Sequence, residues 1–202
     1  MNYFLDTEFL EGSQKTFFGK TKPTIDLISI GIVSEDSREY YAISKDFNLK
    51  EAWNRWQQRT GEGDRNNIEP RLYWLRENVL KPIYEELHKK EMGVYYKMQE
   101  ANVVTIIPII GFTYKNLKKL INKYGKTNKQ IAKEIKEFVG TKETVGNWEQ
   151  VKDKMNTQFY AYYADYDWVA FCWLFGKMID LPDGFPKYCH DLKQTFDEVQ
   201  NR

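Results

Sequence analysis

Two acidic residues near the start of the chain, Asp6 and Glu8, are the first candidates for chemistry. They follow the run Tyr-Phe-Leu at residues 3–5, which favours a strand. Side chains alternate faces along a strand, so both carboxylates should lie on one side and Thr7 on the other. Burying such a pair without a partner is costly, and a divalent cation would offset that cost, with Mg²⁺ or Mn²⁺ suiting ligation by oxygen alone. The alternative is an exposed strand end where both acids meet only water.

A second acidic pair, Asp165 and Asp167, lies between a predicted strand at 157–163 and a predicted helix at 168–177. An acid at such a junction can converge with Asp6 and Glu8 if the strand lies beside the first one. The alternative is that it caps the helix N-terminus, which is a common place for Asp. The two roles are compatible, with one acid capping and the other binding metal.

The composition indicates a folded domain without a general affinity for nucleic acid. The chain has 202 residues, which suits one domain with room for an insertion. Hydrophobic residues make up 42%, and the net charge of +1 gives no overall basic field, so nucleic acid would be bound only locally. Cys172 and Cys189 show neither a disulfide framework nor zinc-ligand spacing.

The sequence predicts neither a signal peptide nor a membrane span. Acidic residues occur within the first ten positions. The longest apolar run, 103–110, is interrupted by Thr105 and Pro108 and is too short to cross a bilayer. We therefore expect a soluble cytoplasmic protein without a membrane partner.

The order of predicted elements indicates the fold class. Strands at 3–8, 25–33 and 38–44 are followed by a helical section, in which Pro82 is expected to kink or split a helix at 69–87. Residues 11–23 are predicted to be a loop. A strand, a helix, a short strand at 187–191 and a helix at 192–200 complete the chain.

This order is typical of an α/β ribonuclease-H-like fold, in which a mixed five-stranded sheet is flanked by helices. Residues 86–114 have no place in it and are interpreted as a helical/β insertion within a single domain, 1–202. The Gly31 position within the second strand predicts a bulge or a close neighbouring backbone.

The chain resembles the DEDDh group of 3′–5′ exonucleases, and within it the small bacterial and phage exoribonuclease family whose members open with F-x-D-T-E-F. The matching segments are YFLDTEFLE at 3–11, ISIGIV at 28–33, REYYAI at 38–43 and YAYYADYDWVAFCWLFG at 160–176. The resemblance implies an exonuclease-like domain that releases nucleoside 5′-monophosphates from 3′ ends of single-stranded RNA, with DNA as an open alternative. It also leaves a homodimer open, and it implies the cytoplasm of a bacterium or of a phage-infected host.

The resemblance also implies site residues. Asp6, Glu8 and Asp167 match the family's metal ligands, which hold two Mg²⁺ or Mn²⁺ ions; Asp165 is the weaker match. Phe9 and Leu10 are expected to support the terminal nucleotide, because single-stranded ends are bound by stacking.

One family motif, H-x-A-x-x-D, which supplies a general-base His and a fourth acid, does not occur in the chain. The histidines are His88 and His190, and the residue five positions after His190 is Thr195. Residues 186–199 instead resemble the strand and helix that precede this motif in the family, so the final helix is expected to be missing.

Three hypotheses remain for this departure. The chain is truncated, Asp191 or Asp197 acts with His190 in place of the motif, or the chain is a non-catalytic RNA-binding or protein-interaction module. Impaired activity follows from the first. Truncation also predicts uncovered apolar surface near Val33 or Ala161, unless residues 86–114 cover it.

Overall fold

The computed structural model describes residues 1–15, 21–56, 72–100, 111–140 and 157–200. The apolar run 103–110 lies outside these ranges. The chain divides into two compact units, one made of residues 1–47 and 126–202 and the other of residues 48–125. The predicted insertion, 86–114, falls within the second unit.

The first unit is built on a five-stranded sheet in the order β3-β2-β1-β4-β5. The strands are β1 (Asn2–Lys15), β2 (Thr21–Ser34), β3 (Glu39–Ile43), β4 (Gln158–Ala161) and β5 (His190–Asp191). The first three pair antiparallel, whereas β1 pairs parallel with β4, and β4 with β5. This mixed α/β sheet agrees with the predicted class and is compatible with a ribonuclease-H-like fold.

The α-helices of the described ranges are α1 (Leu49–Asn54), α2 (Lys81–Glu100), α3 (Tyr114–Tyr124), α4 (Asn128–Val139), α5 (Ala164–Trp173) and α6 (Leu192–Gln200). Both ends of α4 are capped: Thr127 and Gln130 form a reciprocal capping box, and Gly140 ends the helix with a φ of 74°. None of the helices in these ranges is both long and apolar enough to cross a membrane.

One face of the sheet packs against α4 and α5. Its buried cluster includes Tyr3, Leu5, Ile30, Ile32, Ile131, Ile135, Phe159 and Phe171. The opposite face carries apolar side chains that remain exposed. Phe4 is 42% exposed and its cross-strand partner Val33 is 44% exposed. The expected uncovered surface is therefore present at Val33, whereas Ala161 is buried.

The predicted loop at 11–23 is largely wrong. The antiparallel pairing of β1 with β2 continues from Glu11 opposite Ile25 to Lys15 opposite Thr21, and residues 16–20 lie outside the described ranges. Backbone hydrogen bonds form this ladder without regard to side-chain type, so Gly, Lys and Thr did not prevent it. Among the described residues, this stretch of β2 pairs with β1 alone, and a strand with one free side tolerates Pro23.

The second unit contains α1, α2 and α3. A π-helical turn at Arg76–Leu80 leads directly into α2, so the helical backbone continues through Pro82 instead of splitting there, and the change of hydrogen-bond pattern comes just before it. The buried carboxylate of Glu91 on α2 accepts hydrogen bonds from Lys123, at 2.7 Å, and from Tyr124 on α3. This paired charge links α2 to α3 within the unit.

Candidate active site

The strand β1 presents Asp6 and Glu8 as its alternation predicts. Thr7 is buried on the core side, whereas Asp6 is exposed and Glu8 half-buried on the other side. Glu8 is also the last residue before a shift in register, because Glu8 pairs with Ser29 and Phe9 with Leu27. Ile28 is thus an extra residue on β2, and the predicted bulge lies there rather than at Gly31. Bulges of this kind bend a strand and re-aim the neighbouring side chains.

The third acid, Asp167, reaches β1 from the first turn of α5. Its Oδ1 accepts hydrogen bonds from the backbone N–H of Thr7 at 2.8 Å and from the Thr7 hydroxyl at 2.6 Å. The parallel pairing of β1 with β4 ends at Phe4 and Tyr160, so Thr7 lies beyond the last paired residue. The buried carboxylate therefore satisfies a β1 amide that β4 does not reach, and it fixes the start of α5 against the Asp-x-Glu segment.

The three carboxylates influence one another electrostatically. Partial desolvation raises the pKa of Glu8, and repulsion by Asp6 and Asp167 adds to that rise. Desolvation likewise raises the pKa of Asp6. Burial raises the pKa of Asp167; its hydrogen bonds from Thr7 oppose that rise and Asp6 adds to it. Partly desolvated acids, two of which are also repelled by acidic neighbours, form a site that a cation would stabilise.

The chemistry of this donor set fits a divalent metal ion, although the side chains do not yet enclose one. Within the described residues, no three His, Cys, Asp or Glu side chains stand close enough to share an ion. Hard oxygen donors with unfavourable mutual repulsion are the ligands that Mg²⁺ or Mn²⁺ prefers. Asp6, Glu8 and Asp167 are the residues whose donors suit such an ion, and Thr7 already holds Asp167 in place.

An aromatic pair adjoins the acids. Phe9 and Tyr166 stack almost in parallel, with ring centroids 5.5 Å apart and an interplanar angle of 12°. Phe9 is half-buried, whereas Leu10 has no exposed surface and is not accessible to a nucleotide in this conformation. Sequence reasoning singled out Phe9 but missed Tyr166, although an aromatic residue directly before the matched Asp167 was a visible signal.

The residues considered as substitutes for the absent motif have other partners. Asp191 accepts backbone hydrogen bonds from Ala164, at 3.1 Å, and from Lys193, at 2.7 Å, and so caps both α5 and α6. Asp197 pairs with Lys193, and the His190 ring stacks on Tyr160 with centroids 4.7 Å apart. In the described part of the chain, no hydrogen bond joins these residues to the three acids.

Comparison with known proteins found no matching family model. Two curated proteins are similar to this chain, both named 3′–5′ exoribonuclease and both from Mycobacterium tuberculosis, one from strain CDC 1551 / Oshkosh and one from strain ATCC 25618 / H37Rv. Each is 25% identical over 198 residues, which is 98% of this chain and 75% of the relative. The similarity thus extends through both compact units.

Proposed function

We propose that this chain is a metal-dependent 3′–5′ exoribonuclease of the DEDDh type on a ribonuclease-H-like scaffold. The observation that carries the proposal is the pair of hydrogen bonds between Asp167 and Thr7, which holds a third carboxylate against the Asp6–Glu8 segment from 160 residues away. Similarity to proteins named as exoribonucleases over nearly the whole chain supports it.

Asp6, Glu8 and Asp167 would hold two Mg²⁺ or Mn²⁺ ions. Bound ions of this kind lower the pKa of an attacking water and stabilise the leaving oxygen of a phosphodiester. Thr7 orients Asp167, and its two hydrogen bonds oppose the rise in the pKa of that carboxyl that burial causes. The products would be nucleoside 5′-monophosphates.

Phe9 and Tyr166 would support the terminal nucleotide. Tyr166 is 51% exposed, and its ring is backed by Phe9 on the side that faces β1. A braced, exposed ring beside a carboxylate site is suited to stacking against a base at a single-stranded end.

Activity of these 202 residues alone should be low. None of the described residues supplies a histidine hydrogen-bonded to the acids, so the proton of the attacking water would pass to bulk solvent. The absence of a positioned base lowers the rate by about 10²–10⁴-fold relative to an enzyme that has one.

Release of AMP from oligo(A) in the presence of Mn²⁺ tests the proposal. We expect slow, stepwise release from the 3′ end by the wild-type chain, and none by Asp6→Asn or in the presence of EDTA. Equal release by wild type and Asp6→Asn would contradict the proposal. RNA binding without metal and without AMP release would instead favour the alternative, a non-catalytic RNA-binding module.

A further inference from the structure

Exposed tyrosines gather where β4 ends and α5 begins. Tyr162 and Tyr163 are 56% and 61% exposed, and their rings meet edge to face with centroids 4.9 Å apart. Exposed aromatic side chains that adjoin one another in this way are typical of binding surfaces.

This tyrosine pair adjoins the carboxylate site. The parallel register pairs Phe4 with Tyr160. Asp6 lies two residues beyond Phe4, and Tyr162 lies two residues beyond Tyr160, directly after the end of β4. On the other side of the pair, α5 leads through Tyr166 to Asp167 within its first turn.

The backbone holds Tyr163 in an unusual conformation. Its φ of 57° and ψ of 55° lie in the left-handed region, which non-glycine residues seldom occupy. The carboxylate of Asp191 stabilises this junction by accepting a hydrogen bond from the backbone N–H of the next residue, Ala164. Backbone strain of this kind concentrates at functional sites, where it positions a side chain.

Lys193 lies at the same junction, because its backbone N–H and that of Ala164 both donate to the carboxylate of Asp191. Its ammonium group is paired with Asp197, and a nucleotide phosphate would compete with that carboxylate for it. Aromatic rings beside a cation are the combination by which proteins hold single-stranded nucleic acid, since every base can stack and every nucleotide carries a phosphate.

We propose that Tyr162, Tyr163 and Lys193 bind the nucleotides that precede the 3′-terminal one in single-stranded RNA. This inference rests on the proposed function, because the surface is linked to the proposed catalytic acids through α5, which begins after Tyr163 and carries Asp167 in its first turn. A single strand that enters the carboxylate site has to continue past its edge, and the tyrosine pair lies at that edge. RNA is therefore a better match to this surface than a protein partner.

The test compares substrates of different length. Activity with Mn²⁺ is measured as kcat/KM on a 12-nucleotide oligo(A) and on the dinucleotide pApA, which is too short to reach beyond the terminal positions. The variant Tyr163→Asn removes the ring while keeping a residue type that tolerates the left-handed conformation. Tyr163→Phe retains the ring. Trp173→Ala is the control, because Trp173 is also an exposed aromatic residue, at 51% against 61% for Tyr163, and lies about 15 Å further along α5.

We expect Tyr163→Asn to lose about 5- to 100-fold more activity on the 12-mer than on the dinucleotide. Tyr163→Phe and Trp173→Ala should show no such dependence on length. Equal losses on both substrates, or no loss on the 12-mer, would overturn the proposal. Melting temperatures of the variants exclude a loss caused by unfolding.

Failure of the proposed function is distinguishable from failure of this surface. If the wild type cleaves neither substrate, the affinity for a fluorescein-labelled 12-mer in EDTA, measured by fluorescence anisotropy, decides the matter. Weaker binding by Tyr163→Asn but not by Trp173→Ala would support the surface. Equal affinity of all variants, or no RNA binding by the wild type, would refute it and leave a protein as the occupant to consider.

Discussion

At the scale of single residues, the contact between Thr7 and Asp167 gives the site its form. Thr7 stands between Asp6 and Glu8 but points away from them, and it donates two hydrogen bonds to Asp167 from its backbone and side chain. One residue thus joins the strand that bears two acids to the helix that bears the third. Its role is to position Asp167, and neither an RNA strand nor an ion needs to touch it.

Mutual repulsion of the acids has a consequence for stability that depends on pH. The folded-state pKa of Glu8 is raised above its ordinary value of 4.5, first by desolvation and then by Asp6 and Asp167. Below pH 4.5, Glu8 is protonated in both the folded and the unfolded state and does not weaken the fold. As the pH rises through the folded-state pKa, the carboxyl has to ionise in an unfavourable environment, so the free energy of unfolding falls.

We therefore predict that Glu8→Gln stabilises the metal-free protein at pH 7 and not at pH 4. After discounting for solvent screening, the gain at pH 7 is about 0.5 kcal/mol, or about 1–2 °C in Tm for a chain of this size. Thermal unfolding in EDTA at both pH values measures it. A variant that is less stable than wild type at pH 7 would show that Glu8 is paired rather than repelled.

At the scale of elements, the junction of β4, α5, β5 and α6 depends on Asp191. Burial raises the pKa of Asp191, but hydrogen bonds from the backbone of Gln194, Ala164 and Lys193 outweigh this and lower it overall. The carboxylate satisfies N–H groups at the starts of two helices, and α5 is the helix that carries Asp167.

Asp191→Ala should accordingly lower the free energy of unfolding by about 2 kcal/mol. A helix cap contributes about 1 kcal/mol, and this substitution removes a cap from each of two helices. The expected fall in Tm is about 4–8 °C. Asn48→Ala, which removes the single cap of α1, is the control and should cost about half as much. Equal effects of the two substitutions in thermal unfolding would show that Asp191 does not serve both helices.

At the scale of the whole molecule, the spacing of hydrophobic residues and the positions of turn-forming residues predicted most of the layered fold. The strand predicted at 25–33 lies within β2, and the helix predicted at 192–200 is α6. The extended pairing of β1 with β2 was missed, because ladder hydrogen bonds leave little trace in side-chain type. The helix α5 begins at Ala164 rather than at Trp168, so both acids of the second pair lie within its first turn.

The candidate site was predictable only in part. Motif resemblance pointed to Asp6, Glu8 and Asp167, and the local alternation of β1 placed the first two correctly. The link through Thr7 spans 160 residues and depends on where β4 ends, which no local pattern encodes. The stacking of Tyr166 on Phe9 was missed for the same reason.

Titration of Mn²⁺ into the protein by calorimetry tests the central claim most directly, because that claim concerns one carboxylate site made by three acids. Asp167→Asn is compared with Asp165→Asn, which changes an exposed acid of the same turn of α5. We predict that wild type and Asp165→Asn bind Mn²⁺ alike and that Asp167→Asn binds at least about tenfold more weakly, since it loses a charged oxygen ligand. Absence of binding by the wild type, or equal binding by all three proteins, would contradict the account.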